Sequence, residues 1–367
     1  MRNILLLTLL ILSFSACKKN DATITKTAKS DTSQAKISNA DSIKTKISNI
    51  TGVTTNWLDD IFFTNNRIGY AIGCPWNIFR AGEVVIKTTD GGSTWSSISA
   101  PQGASFSLNS IYFTDSITGY MIGQNNYGGQ ASIFKTIDGG TNWITVLDSM
   151  AYQLASITFT DANTGYIIGN TMIGVATIFK TTNAGKNWVT LTVPDLSSKA
   201  LNELYSIHFV DSNTGYISGT SGIILKTINA GTTWSLLNIP QAASHYYLFS
   251  VYFTDANNGY AVGSDSTSYT GIILKTVDAG ITWSISKFQT ISEIYSVYFT
   301  DLSTGYVVGQ CTKNANAPGS ILKTIDCGKT WTVINNDKYP TLSSITFTSS
   351  KIGFAVGAQG TILKFEE

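Results

Sequence analysis

Leu108-Asn-Ser-Ile-Tyr-Phe-Thr-Asp115, then Thr118-Gly-Tyr-Met-Ile-Gly123, then Ile133-Phe-Lys-Thr-Ile-Asp-Gly-Gly-Thr-Asn-Trp143: this stretch decides the fold, because it recurs along the chain. Its Gly-Tyr step, once Gly-Phe, falls at Gly69, Gly119, Gly165, Gly215, Gly259, Gly305 and Gly353, seven copies 44 to 50 residues apart. A period of that size belongs to propeller blades or solenoids. Ser110 to Thr114 and Gly119 to Gly123 alternate and are rich in Ile, Tyr and Phe, with a Thr-Asp-x-x-Thr turn between them, which is hairpin grammar. Ile133 to Thr136 reads as a third strand, and a turn of pattern Thr-x-Asp-x-Gly-x-Thr-Trp leads into a fourth. The acceptor position of that turn holds Asp90, Asp138, Asn183, Asn229, Asp278 and Asp326. A short acceptor there bonds the turn's own amides, and the glycine permits positive φ. The following Trp95, Trp143, Trp188, Trp234, Trp283 and Trp331 are expected to bury their rings between neighbouring blades. The expected fold is all-β, a seven-bladed β-propeller of four-stranded blades.

Copy seven runs from Leu342 to Lys364 and stops before any box or Trp, so its last strand is missing. Lys46-Ile-Ser-Asn-Ile50 is similar to the post-Trp strand Trp234-Ser-Leu-Leu-Asn-Ile239. An open ring exposes strand edges, so this N-terminal strand is expected to close it. The turn resembles the Asp-box, or bacterial neuraminidase repeat. The whole unit, with Phe-Thr-Asp-x-x-Thr-Gly-Tyr, resembles the photosystem II stability and assembly factor family over roughly residues 47–367. The resemblance implies a seven-bladed propeller whose boxes are structural turns, and a role in chaperoning a membrane complex. Photosynthetic members are linked with an arginine-rich patch. This chain has Arg2, Arg67 and Arg80 only, so photosystem assembly itself is not carried over.

Met1 to Ala16 has Arg2, an apolar run from Ile4 to Leu12 and then Phe14-Ser-Ala-Cys17, a signal peptide too short to span a membrane. It resembles a lipoprotein signal, which implies cleavage before Cys17 and lipidation there, and hence an exported, membrane-anchored protein at the outer membrane or cell surface. Residues 17–43 read as the lipidated Cys and a disordered tether, since Lys, Asp, Ser, Thr, Ala and Asn cannot repay the entropy of ordering. From Lys18 to Lys46 there are seven Lys and three Asp, which suits a spacer near anionic headgroups. Residues 44–367 form one domain, because blades share a ring and cannot bury their faces alone. With 24 basic and 23 acidic residues and no basic stripe, nucleic acid is not an expected partner. Cys74, Cys311 and Cys327 remain beside Cys17. Cys311 and Cys327 flank one strand and Cys74 lies two blades from Cys311, so no disulfide is expected. His208 and His245 join these thiols at no metal-binding spacing, and no metal or cofactor is expected.

A sialidase needs three arginines around the substrate carboxylate, and only Arg67 and Arg80 survive signal cleavage. Most Asp residues occupy repeat positions, His208 sits where other copies have Tyr or Thr, and His245 has no fixed Ser or Asp partner; no catalytic residue is assigned. The expected function is a non-catalytic, monomeric, lipid-anchored propeller that binds a protein or glycan partner at the cell envelope. Its alternatives are an assembly factor for a membrane complex and a carbohydrate-active enzyme.

Spacing places the working face. The Gly of Gly-Tyr stands eight positions after the strand-one Ile or Val in every copy, and the Trp seven positions after the box Thr, so these two turns make one uniform face. The connections at the other end vary, and loops on a rigid scaffold are where propellers bind. Residues with no repeat counterpart gather there: Trp76, Phe79, Arg80, Tyr127, Tyr152, His245, Tyr246, Tyr247 and Tyr269 are the candidate ligand-binding residues.

Overall fold

In the computed structural model, the structure describes residues 32–34, 45–74, 84–101, 106–125, 130–150, 152–239, 244–311, 318–335 and 339–367. The signal segment, Cys17 and most of the tether lie outside them, as do Trp76, Phe79, Arg80 and Tyr127. Within the stretch read as tether, Thr32–Gln34 runs as a short parallel strand beside Ser284–Phe288.

The described strands form seven antiparallel sheets of four consecutive strands each, apart from that added parallel strand and the closure of the last sheet. Blade two is Phe106–Phe113, Gly119–Asn125, Ala131–Thr136 and Ile144–Met150, the stretch on which the repeat was read. The first strand of each blade lies innermost, packed beside the first strands of both neighbours, including Leu342–Ser349 beside Trp57–Phe63. Blade seven has three strands of its own, and Lys46–Ile50 pairs antiparallel with Ile362–Glu366 to supply the fourth. The N-terminal strand therefore closes the ring.

What holds blade to blade is one aromatic wedge repeated at each seam. The Tyr of Gly-Tyr stacks on the strand-one Phe of the next blade, as in Tyr120 on Phe159 at 4.3 Å between ring centroids. The box Trp meets that Phe edge-on, Trp188 at 6.1 Å and 79°. Such offset and T-shaped pairs add roughly 0.5–1.5 kcal/mol each beyond their buried area. The same tyrosine donates its hydroxyl to the next blade's box carbonyl: Tyr70 to Gly139, Tyr120 to Ala184, Tyr166 to Ala230, Tyr216 to Ala279 and Tyr260 to Cys327. The Lys before each box Thr reaches over the tyrosine ring, and in Lys87, Lys135, Lys180 and Lys226 it donates to that same carbonyl. Lys-Thr and Gly-Tyr thus recur together because they grip one atom.

The closing seams differ in a way the sequence explains. Blade seven has no box, so Tyr306 donates to the Glu367 carboxylate at 2.6 Å, Thr45 donates to it at 2.6 Å, and Lys323 pairs with it. Burial pushes Glu367 up, but these hydrogen bonds hold it below the usual glutamate range. At the next seam Gly-Phe replaces Gly-Tyr. Phe354 stacks on Phe63 at 4.6 Å with no hydroxyl to place. Cys74 and Cys311 remain thiols, whereas Cys327 is disulfide-bonded, which corrects the expectation of no disulfide.

Because closure rests on Lys46–Ile50, removing residues 18–38, which takes with it only the short added strand Thr32–Gln34, is expected to lower Tm by a few degrees at most, whereas removal through Ile50 also strips a whole strand from blade seven and lowers Tm by many degrees. Equal melting of the two truncations, measured by circular dichroism, contradicts strand closure.

Candidate functional site

Each first strand carries one irregularity at the same place. Pairing with the second strand slips between Leu58 and Asp60, Leu108 and Ser110, Leu154 and Ser156, Leu204 and Ser206, Leu248 and Ser250, Ile294 and Ser296, and Leu342 and Ser344. One residue per blade is therefore extra: Asp59, Asn109, Ala155, Tyr205, Phe249, Tyr295 and Ser343. A bulge leaves its extra residue unpaired and re-aims its side chain. All seven line one cavity of about 510 Å³, together with Trp57, Gln124, Gln153, Asn170 and Glu203. First strands start at the variable-loop face, so the cavity is the mouth of the central channel on that face.

The bulge needs glycine opposite it. In the second strand, a Cβ on Gly263 would lie 1.7 Å from the Tyr247 carbonyl oxygen, and one on Gly309 would lie 2.0 Å from that of Glu293. The last Gly of Gly-Tyr-x-x-Gly recurs for this close approach, not for a turn.

The wall is asymmetric. Tyr205, Phe249 and Tyr295 form an arc across blades four to six, with centroids 5.5 and 5.3 Å apart. Glu203 accepts the Tyr205 hydroxyl at 2.8 Å, and Glu293 accepts the Tyr295 hydroxyl. Gln310 also donates to Glu293, at 2.5 Å. Across the mouth, Trp57 donates its indole N–H to Ser343 at 2.8 Å and Asn109 donates to the Leu154 carbonyl at 2.7 Å, which fixes their rotamers. Beneath them, the Ser column linking blade to blade is broken by Asp60. It accepts from the backbone amides of Ile61 and Ile111 and from Ser110 and Ser344, tying blades one, two and seven. Burial raises its pKa against these bonds. Burial also pushes the half-buried Asp59 up to about 7, opposed by a hydrogen bond from Cys74 and reinforced by the charge of Asp60. Desolvation, with the charge of Asp59, raises Cys74 to about 12, an inert thiol at neutral pH.

The sequence-nominated residues that the structure describes scatter. Tyr247 stands beside the arc, its ring 6.4 Å from Phe249. Tyr246, 1% exposed, belongs to the core between blades four and five, and Tyr152 packs edge-on against Phe179 at 5.1 Å. His245 is exposed, and Tyr269 is 55% exposed at φ 53° in the loop between the second and third strands of blade five. His208 lies in the wall of the channel and contacts the Phe253 carbonyl at 3.2 Å; burial pulls its pKa down to about 4, so it is neutral. The box residues close their own turns. Asp138 accepts from Thr136 and from the Asn142 amide, Asn183 does the same with Thr181 and Asn187, and Asn229 with Thr227 and Thr233. Asp90, Asp278 and Asp326 accept from Thr88, Thr276 and Thr324. Hydrogen bonds from Thr94 hold Asp90 down at about 2. The bulge residues went unnominated, although one signal was present: Leu-x-Ser-Ile keeps its frame in blades two to four while x changes freely.

The raised Asp59 pKa gives a test. The folded state holds this proton more tightly than the unfolded chain, so the wild type has the benefit below pH about 4 and loses it as pH rises through 7. Asp59→Asn is expected to stabilise the protein at pH 8 by about 1–2 kcal/mol, discounting the shift for solvent at the rim, and by nothing at pH 4. Denaturant melts at both pH values measure this, and a pH-independent difference contradicts it.

The family model described as Photosynthesis system II assembly factor YCF48 matches residues 110–199 and 195–290. No curated protein matches the chain. Among solved structures, one described as "YCF48 bound to D1 peptide" is 18% identical, covers 90% of this chain and 97% of its own, and superposes with a TM-score of 0.67. YCF48 from Cyanidioschyzon merolae is 20% identical over 87% of this chain and 98% of its own, with a TM-score of 0.64. A Niastella koreensis GH74 enzyme is 15% identical with a TM-score of 0.64, over 86% of this chain but 53% of its own. Repeat, ring and family match together make this chain a photosystem II assembly factor-like seven-bladed β-propeller.

Proposed function

We propose that this chain is a non-catalytic, assembly factor-like propeller that holds a segment of a partner protein in the channel mouth and whose mature form is lipid-anchored through Cys17 at the cell envelope, with Cys327 reduced once the Cys17 thiol is acylated. One observation carries the binding role: seven bulges turn seven side chains, three of them aromatic, into a single cavity on the face where the loops vary. A strand ladder gains nothing from these bulges, whereas a rigid, partly aromatic concavity is what a bound segment needs. The similar YCF48 structure has a D1 peptide bound, which supports a protein partner over a glycan. The way the carboxylates are engaged supports the non-catalytic reading. Asp60 accepts four hydrogen bonds from the surrounding blades, Glu203 holds Tyr205, and Glu293 holds Tyr295 and Gln310, so three of the four carboxylates at the mouth serve as acceptors for the wall itself.

Affinity capture from detergent-solubilised envelope, with wild type and a Tyr205→Ala/Tyr295→Ala variant, tests the binding site. A protein that co-purifies with wild type and with Asp138→Ala, but not with the double variant of similar Tm, is the expected result. Capture that survives the double variant, or is lost only in Asp138→Ala, moves the working face elsewhere. Turnover in a glycoside screen contradicts the non-catalytic role. For the anchor, Cys17→Ser is expected to abolish acyl labelling and shift the protein to the soluble fraction, and unchanged membrane retention contradicts it.

A further inference from the structure

We infer that the channel mouth is a site for a cation, the guanidinium or ammonium of an arginine or lysine in the bound segment, an inference that rests on the peptide-holding role proposed above. The charged residues among the described lining are Asp59 and Glu203, both acidic, and no Lys, Arg or His accompanies them. Glu293 lies directly behind the lining, bonded to Tyr295 and Gln310. Carboxylates gathered in a concave site with low-dielectric walls focus negative potential and favour a positively charged occupant. Gathering them also costs free energy when nothing positive is present. Burial without a positive partner raises the pKa of Asp59, and the charge of Asp60 beside it reinforces the rise.

The aromatic arc supplies the other half of the recognition. Tyr205, Phe249 and Tyr295 are half-buried in the cavity wall, in a continuous run across blades four to six. A cation within about 6 Å of such ring faces is attracted by their quadrupoles, more so when desolvated. Glu203 and Glu293 sit at the two ends of this arc, held by the outer two rings through their hydroxyls, so aromatic faces and carboxylates form one prearranged unit. Blade one, carrying Asp59, stands across the ring from blades four and five. A planar guanidinium could stack on the arc with Glu203 at its edge, while Asp59 adds a second acidic group across the mouth. A neutral sugar would use the rings but leave the carboxylates uncompensated.

The test uses the mature, full-length chain and heptapeptide mixtures with randomised flanks and a central Arg, Lys, citrulline or Glu, read by fluorescence polarisation. The Arg and Lys mixtures are expected to bind at least about ten-fold tighter than the citrulline and Glu mixtures, with the gap shrinking as salt rises. Glu203→Gln and Phe249→Ala are each expected to reduce that gap several-fold; Glu203→Gln preserves shape and keeps the test valid if Phe249→Ala fails to fold. Equal binding of all four mixtures, lost in the variants, overturns the cation preference and leaves the peptide-holding role standing. Binding by none of them, or a preference untouched by both variants, overturns the cation site and counts against the channel mouth as the peptide site.

Discussion

A single close approach, the strand-one carbonyl lying over a glycine of the second strand, shapes the functional end of every blade. Seven times the first strand gains one residue, and seven times the opposing position is Gly73, Gly123, Gly169, Gly219, Gly263, Gly309 or Gly357, where a Cβ would run into that carbonyl. The constraint acts on backbone alone, so the chain keeps the glycine fixed and is free in what the bulge presents. Asp59, Asn109, Ala155, Tyr205, Phe249, Tyr295 and Ser343 share almost no chemistry, yet they occupy equivalent places on one channel wall. A repeat protein acquires an asymmetric site in this way without disturbing its symmetric frame.

The frame is held at the opposite end of the blades. Tyrosine, phenylalanine and tryptophan wedge each seam, and the box turn both closes its own hairpin and offers a carbonyl to the preceding blade. Rigidity and recognition are thus separated along the strand direction: the Asp-box face is uniform because its groups are partnered in the next blade, and the loop face is released from that duty. The last seam shows how strict the duty is. Lacking a box, blade seven places the Glu367 carboxylate where Tyr306 and Lys323 require an acceptor.

The fold was legible because its signals are periodic. Gly-Tyr, the box and the Trp recur at fixed distances, and even the missing strand was readable from the truncated seventh copy and the stretch Lys46–Ile50. The site was far less legible. Expecting recognition residues in the loops that differ most in length led to Tyr152 and Tyr246, which pack into the seams, and among the nominated residues the structure describes only Tyr247 falls beside the arc. A bulge is set by backbone register, which side-chain periodicity does not reveal. Its one trace was the free position in Leu-x-Ser-Ile, hidden inside the strand that looked most structural. Asp60 was concealed likewise, as the only acid in a column of serines.

The measurement that bears most directly on this account is the stability and crystal structure of Gly263→Ala. A methyl group there meets the Tyr247 carbonyl oxygen at 1.7 Å, so the bulge cannot persist unchanged. The account predicts a loss of about 3 kcal/mol in unfolding free energy, with Phe249 displaced from the channel mouth while the Tyr216–Phe253–Trp283 wedge at the other end of the blade stays in place. A variant as stable as wild type, with Phe249 still seated between Tyr205 and Tyr295, would contradict it.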